Sequence, residues 1–355
     1  MTLILPHIDR LTPYALGDLP PEGSGAIKLN QNESPYPPSP LVLEALRTLG
    51  EEELRRYPDA RCAQLRAALS RLHGVKDEQV FCGNGSSEII SLVIKGFIGP
   101  NRRLALPDPS FSLYHTVAAS YQASSIAVPT RSDFTVDTEL LMNSGADTIV
   151  LVNPNAPTGH LLPLEEVERL VSRFPGLVVI DEAYIDFADP GATAIPLVDR
   201  YPNAIVVRTF SKAYALCGAR VGYCVAAEPL IAALEKSKDI YNINAISRKL
   251  AVAALEDCEY TERTVALVKA TRDTFIAELQ SLGFDVIPSQ TNFVLCTPPA
   301  GAGKPDARQW YRKLLERNIY VRHFEHPRLA DKLRISIGTD EEMAAVTAVL
   351  RGLLA

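Results

Sequence analysis

The sequence predicts an α/β protein with a mostly parallel central sheet and a smaller C-terminal α/β lobe. Three observations carry this. Between residues 80 and 227 short apolar runs recur: QVFC, RRLALP, SSIAVP, TIVLVNP, LVVIDEAY, AIVVRTFS and GYCVAA. Their continuous β-branched character suits strands buried on both faces. Stretches of helical period, such as SSEIISLVIKGFI and PLEEVERLVSRF, lie between several of them, as crossovers between parallel strands require. After residue 245 the alternation gives way to a different order of elements, which marks the second lobe.

Taken in chain order, MTLILPHIDR opens with an apolar patch that His7, Asp9 and Arg10 interrupt, too short for a signal peptide. Residues 1–29 are expected to form an N-terminal arm, 30–240 the large domain and 241–355 the small one. In the small domain a long helical stretch, about 245–281, precedes a strand in TNFVLCTP, a helix near 306–317, and the runs NIYVRHF and LRISIG. AGAGKPD, at 300–306, reads as a flexible loop and lacks the first glycine of a P-loop. Thr339 and Glu342 have the spacing of a capping box opening a last helix.

A chain of 355 residues accommodates one large domain and a smaller partner. Its net charge of −6 gives no basic surface for nucleic acid or an anionic membrane. No run of eighteen apolar residues exists to span a bilayer. Cysteines 62, 82, 217, 224, 258 and 296 contain no C-x-x-C pair, so free thiols of a cytoplasmic protein are expected, not disulfides or zinc. His323 and His326 have the spacing of a metal pair, but no third ligand lies near them in sequence.

Polar residues gather where the apolar runs end. TIVLV leads into Asn153, Asn155, Thr158 and Gly159, LVVI into Asp181 and Tyr184, and AIVVR into Thr209, Ser211 and Lys212. CGNGSSEII places Gly83, Gly85, Ser86 and Ser87 at a helix start, where free N–H groups attract anions. Singly, each has a plain reading as a cap or turn, and Ser211–Lys212 alone reads first as a polar turn, then as a hydrolase dyad, a phosphate loop or a Schiff-base lysine. Together they line the edge of the sheet where open α/β folds bind ligands. A cofactor with an aldehyde, a pyridine ring and a phosphate needs a lysine, a carboxylate for the ring nitrogen, and hydroxyls, a helix start and a cation. Lys212, Asp181, Ser86, Ser87, Thr209, Ser211 and Arg220 supply that set, which points to pyridoxal phosphate.

The segments LTPYALG, KLNQNESPYPP, RRYPD, GNGSSEI, DPSFSLY, NPNAPTG, DEAYIDF, RTFSKAYALCGARVGY, YNIN, SQTNFVL and LRISIGT resemble fold-type-I pyridoxal-phosphate-dependent aminotransferases. Among them the histidinol-phosphate aminotransferases are most similar, and the likeness runs from about residue 11 to 339. The resemblance implies interconversion of histidinol phosphate and 2-oxoglutarate with imidazole-acetol phosphate and glutamate, in histidine biosynthesis. It implies that Lys212 holds the cofactor and moves a proton, that Asp181 faces the ring nitrogen, and that Tyr184 faces the ring oxygen. Phe111 stands where the family usually stacks a tyrosine. Ser86, Ser87, Thr209, Ser211 and Arg220 are implied for the phosphate. Tyr57 matches a residue that reaches the neighbouring subunit's site, which implies a homodimer, while Tyr14, Asn32, Tyr241, Arg322 and Arg334 match substrate positions. One departure concerns the family's N-N-P-T-G. Ala156 replaces the second Asn, so either Asn155 reaches the ring oxygen after a small shift, or Tyr184 serves it alone; the first is expected. The resemblance leaves open a threonine-phosphate decarboxylase or an aromatic amino-acid aminotransferase. A pyridoxal-phosphate-binding regulator lacks its added DNA-binding domain here, and a Ser211–Lys212 hydrolase leaves Asp181 and Arg220 without a role.

Overall fold

A computed structural model describes residues 3–301 and 305–354. The arm leads into β1 (Ile27–Lys28). Each of the apolar runs between 80 and 227 then forms a strand: β2 (Val80–Gly83), β3 (Arg103–Asp108), β4 (Ser124–Pro129), β5 (Thr148–Val152), β6 (Leu177–Asp181), β7 (Ala204–Thr209) and β8 (Gly222–Ala226). They make one sheet in the order β2-β8-β7-β6-β5-β3-β4. β8 alone runs antiparallel to its neighbours. The segment joining β7 to β8 is a run of turns without a helix, which suits an antiparallel return rather than a crossover.

Side chains alternate along the strands into two cores. Ile149 and Leu151 of β5 pack with Leu65, Val167 and Leu170 on one face. Val150 and Val152 pack with Ile89, Tyr114 and Ile231 on the other. Every residue of β5 and β7 is buried, whereas β4, at the edge, leaves Ser124, Ser125, Ala127 and Pro129 exposed. Burial on both faces is why these runs carry no polar alternation in sequence.

The second lobe is a four-stranded antiparallel sheet, β12-β13-β10-β9, built from β9 (Asp285–Val286), β10 (Phe293–Thr297), β12 (Arg322–His323) and β13 (Leu333–Ser336). β11 (Ile319–Tyr320) leaves this sheet and pairs in parallel with β1, so NIYVRHF divides between two sheets. The helical stretch expected over 245–281 is two helices, Ala245–Leu255 and Cys258–Ser281, separated at Asp257. The first packs on Pro40–Arg47 and Ala63–His73 of the larger lobe. Thr339 and Glu342 form the capping box: Thr339 N–H donates to Glu342 Oε2 (2.8 Å) and Glu342 N–H to Thr339 Oγ1 (3.2 Å), ahead of the helix Asp340–Leu354. Of the AGAGKPD loop, 302–304 lie outside the described residues. Among the described residues no helix is long and apolar enough to cross a membrane.

Candidate active site

β2, β6 and β7 end at Gly83, Asp181 and Thr209 on one edge of the sheet, where antiparallel β8 begins at Gly222. A cavity of about 350 Å³ lies over this edge, lined also by Tyr14 and Leu16 of the arm and by Arg322, Phe324 and Arg334 of the second lobe. Of the residues that the resemblance implied for cofactor and substrate, together with Asn155, all line it except Asn155, Tyr57 and Tyr241, while Gly83, Gly85, Asn153, Thr158 and Gly159 also lie outside its lining.

One end of the cavity is an anion cradle. The helix Gly85–Val93 starts there, with Ser86 and Ser87 in its first turn, whose N–H groups have no partner within the helix. Gly85 has φ +76°, and a Cβ on it would sit 2.5 Å from Arg220 Nη2. A Cβ on Gly222 would run into the backbone nitrogen of Ser86. Glycine at both positions therefore lets the guanidinium and the strand close onto the helix start. Arg220 donates to Ser211 Oγ (3.3 Å) and to the Cys217 carbonyl (3.2 Å), both neutral. Thr209 Oγ1 lies 3.0 Å from Ser211 Oγ. A helix start, hydroxyls and a guanidinium that meets no carboxylate among the described residues are the donor set for a phosphate dianion.

Asp181 sits in the floor, 2% exposed, with no cationic partner among the described residues. Tyr114 O–H donates to its Oδ2 (2.9 Å) and Ala183 N–H to its Oδ1 (3.2 Å). Burial outweighs these two bonds and pushes the carboxyl up to about 6. Such a group favours a cation brought in by a ligand. Lys212 Nζ donates to the Gln31 carbonyl (3.0 Å) and stands 5.8 Å from the centre of the Tyr184 ring. The Tyr184 hydroxyl oxygen accepts from Asn32 Nδ2–H (3.0 Å), while Asn32 Oδ1 accepts from the Ser336 hydroxyl (2.9 Å). Because Asn32 is the donor in this pair, the phenol's own proton is left free to donate into the cavity.

Asn155 does not take the place of the amide missing at Ala156. Ala156 lines the cavity, but Asn155 is turned away and 2% exposed. Its two amide hydrogens go to the Pro109 carbonyl (3.0 Å) and Thr158 Oγ1 (2.9 Å), and its Oδ1 accepts from Ser110 Oγ (2.7 Å). No side-chain donor remains for a ring oxygen. Phe111 does line the cavity, in edge contact with Tyr14 at 6.0 Å and Tyr114 at 6.3 Å.

Arg322 and Arg334 oppose each other in register on β12 and β13. Like charges so placed repel unless an anion joins them. Arg322 donates to the Ala15 carbonyl (2.7 Å), and Gly17 leaves room for it. Arg334 donates to the Asn30 carbonyl (2.8 Å), and its buried Nε has no partner. Burial lowers the proton affinity of Arg334, and the charges acting on it are Tyr184, Tyr14 and Arg322, with no carboxylate among them.

Tyr57 and Tyr241 lie outside the cavity and stack on each other, centroids 4.5 Å apart, with Tyr57 81% exposed. His323 Nε2 lies 2.9 Å from the Ala330 carbonyl, and His326 Nε2 lies 3.1 Å from Asp108 Oδ2. Sequence reasoning passed over Tyr114, the Gln31 and Asn30 carbonyls, Ser336 and Cys217, whose thiol borders the cavity. Tyr114 sits in an apolar helix, Leu113–Ser120, where it reads as core; the backbone carbonyls have no sequence signature at all.

A model of the family described as aminotransferase class I and II matches residues 24–350. Histidinol-phosphate aminotransferase 2 of Rhizobium meliloti is 45% identical over 350 residues, 97% of either chain. Histidinol-phosphate aminotransferase 1 of Trichormus variabilis is 41% identical over 349 residues, 98% of either chain. The crystal structure of histidinol-phosphate aminotransferase from Sinorhizobium meliloti in complex with pyridoxal-5′-phosphate superposes with a TM-score of 0.91 at 27% identity, covering 100% of this chain and 98% of that one. Lysine, buried carboxylate and anion cradle occupy one cavity in a chain matched along nearly its whole length: the protein belongs to the class I and II aminotransferase family.

Proposed function

We propose that the protein is a pyridoxal-phosphate-dependent aminotransferase that exchanges an amino group between histidinol phosphate and 2-oxoglutarate, giving imidazole-acetol phosphate and glutamate, a step of histidine biosynthesis. The observation that carries this is the convergence of Lys212, a buried Asp181 without a cation, and the Gly85–Arg220 cradle on one cavity. The residues fit the cofactor. Ser86, Ser87, Thr209, Ser211 and Arg220 would hold its phosphate, Phe111 one face of its ring, Asp181 its nitrogen and Tyr184 its ring oxygen. Lys212 would hold its aldehyde carbon covalently.

When bound, the cofactor supplies a protonated ring that accepts the electron pair left at the substrate Cα. Asp181, ionised, would keep that ring nitrogen protonated. Lys212 Nζ, next to the reacting carbon, would take the proton from the substrate Cα. Tyr184, positioned by Asn32 and Ser336, is the side-chain donor to the ring oxygen, because Asn155 has none left. Arg334 and Arg322 bind the anionic end of either substrate, a carboxylate of glutamate or the phosphate of histidinol phosphate.

Arg334→Lys is expected to lose both half-reactions by roughly 2–4 kcal/mol of transition-state binding, because a point charge replaces a planar fork. The cofactor should stay bound, since Arg334 lies away from the cradle. Single-turnover bleaching of the cofactor band with each substrate measures this, and an intact glutamate half-reaction removes the dual role. The reaction itself is tested by complementing a histidine auxotroph and by assaying 2-oxoglutarate consumption with purified protein. Release of CO₂ without 2-oxoglutarate consumption would instead indicate a phosphothreonine-type decarboxylase.

We further propose a cytoplasmic homodimer in which Tyr57 serves the neighbouring subunit's site. Its exposure beside Leu54 and Ile240, and its place outside its own chain's cavity, support this reading. All six thiols are free, which favours a reducing compartment. Tyr57→Phe is expected to raise KM for the phosphate-bearing substrate more than for glutamate. Mixing that variant with Lys212→Ala should then restore part of the lost catalytic efficiency in heterodimers. No restoration after verified subunit exchange would place Tyr57 with its own chain.

A further inference from the structure

We infer that Tyr114 is a positioning residue: its phenolic O–H orients the Asp181 carboxylate and favours its ionised form, so that Asp181 can serve the cofactor nitrogen. This rests on the functional reading above. Tyr114 lies in the first turn of the helix Leu113–Ser120, 1% exposed, with its hydroxyl 2.9 Å from Asp181 Oδ2. The other carboxylate oxygen is tethered by the Ala183 amide at 3.2 Å. One tether is thus backbone, fixed by the turn after β6, and the other is a side chain from a helix across the sheet end. Together they aim the group, which no cation touches among the described residues.

Packing alone does not account for a tyrosine here. The Tyr114 ring meets Phe111 edge-on, at 6.3 Å and 83°, a contact that phenylalanine would make equally well. Only the hydroxyl needs Asp181. The proton stays on the phenol, because burial and the neighbouring carboxylate push the Tyr114 value well up. Tyr114 therefore always donates and Asp181 always accepts, which favours the carboxylate over the carboxylic acid. Burial acts the other way. The cations around the same cavity are Lys212, Arg220, Arg322 and Arg334. Its other phenols are Tyr14 and Tyr184, and its thiol is Cys217; none of these groups hydrogen-bonds Asp181.

Tyr114→Phe removes one oxygen and tests this directly. In the cofactor-free protein, carboxyl ¹³C shifts of labelled aspartate should show the Asp181 midpoint moving up by about one pH unit. In the holoenzyme the acid limb of kcat should move up as well, with kcat recovering towards the parent value at high pH. A purely structural defect would lower kcat at every pH. If Tyr114→Phe does not fold, difluorotyrosine at position 114, a stronger donor of the same shape, should move the midpoint down. An unmoved midpoint overturns the inference, and so does a moved midpoint with an unchanged kcat profile. Failure of the functional reading is distinguishable, because Asp181→Asn would then keep its turnover.

Discussion

Lys212→Ala is expected to fold, to retain pyridoxal phosphate non-covalently, and to lose turnover with either amine by at least about 10⁴-fold. The fold tolerates the change because, among the described residues, Nζ makes one hydrogen bond, to the Gln31 carbonyl at 3.0 Å in a partly buried setting, and otherwise only faces the Tyr184 ring at 5.8 Å. Water can take over that carbonyl, so the stability cost should stay near 1 kcal/mol, the net value of such a bond. Cofactor retention follows from the cradle, whose donors at Ser86, Ser87, Thr209, Ser211 and Arg220 are untouched. The rate loss combines two functions of one nitrogen, covalent anchorage and removal of the Cα proton. Methylamine in excess should restore part of the rate, since the truncated side chain leaves room for a small base. Thermal melts and single-turnover absorbance with glutamate and with histidinol phosphate check both halves, and near-normal turnover would remove Lys212 from the site.

Asp181→Asn should separate function from stability. Asparagine keeps the shape: its carbonyl can accept from Ala183 N–H, and its amide can donate to a reoriented Tyr114 hydroxyl. The charge that keeps the ring nitrogen protonated is gone, so kcat should fall at least about 10²-fold while cofactor affinity falls much less. The cofactor-free protein should show the opposite trend in stability. Asp181 stands at about 6 when folded, against an ordinary value of 3.8. A raised carboxyl costs nothing below the unfolded value, and its stabilising protonation is lost as pH rises through the folded one. The ionised group then burdens the fold by roughly 3 kcal/mol above pH 6. Asp181→Asn should therefore be more stable than its parent at pH 8, with the gain fading between about pH 6 and 4. Equal melting temperatures across that range would show that burial does not strain Asp181.

Much of this architecture was legible from the chain alone. Strands buried on both faces must be continuously apolar, so the runs between 80 and 227 could be read as strands before any coordinates. Parallel strands deliver their carboxyl ends to one edge, so Asp181, Thr209, Ser211 and Lys212 could be placed together, and Ser86 and Ser87 with them at a helix start. Hydrogen-bond partners were decided by tertiary structure. Asn32 and Ser336 are 304 positions apart, and Asn32 and Tyr184 are 152 apart. Asn155 illustrates why. Its type and spacing suited a ring oxygen, but its amide goes to the Pro109 carbonyl and Thr158, which the packed turn brings nearer. Likewise, the period of residues 245–281 showed helix but not the break at Asp257, nor that Ala245–Leu255 would lie against Pro40–Arg47. Periodicity records which face of a segment is apolar. Which partner that face or amide meets depends on segments far along the chain, and only their packing decides it.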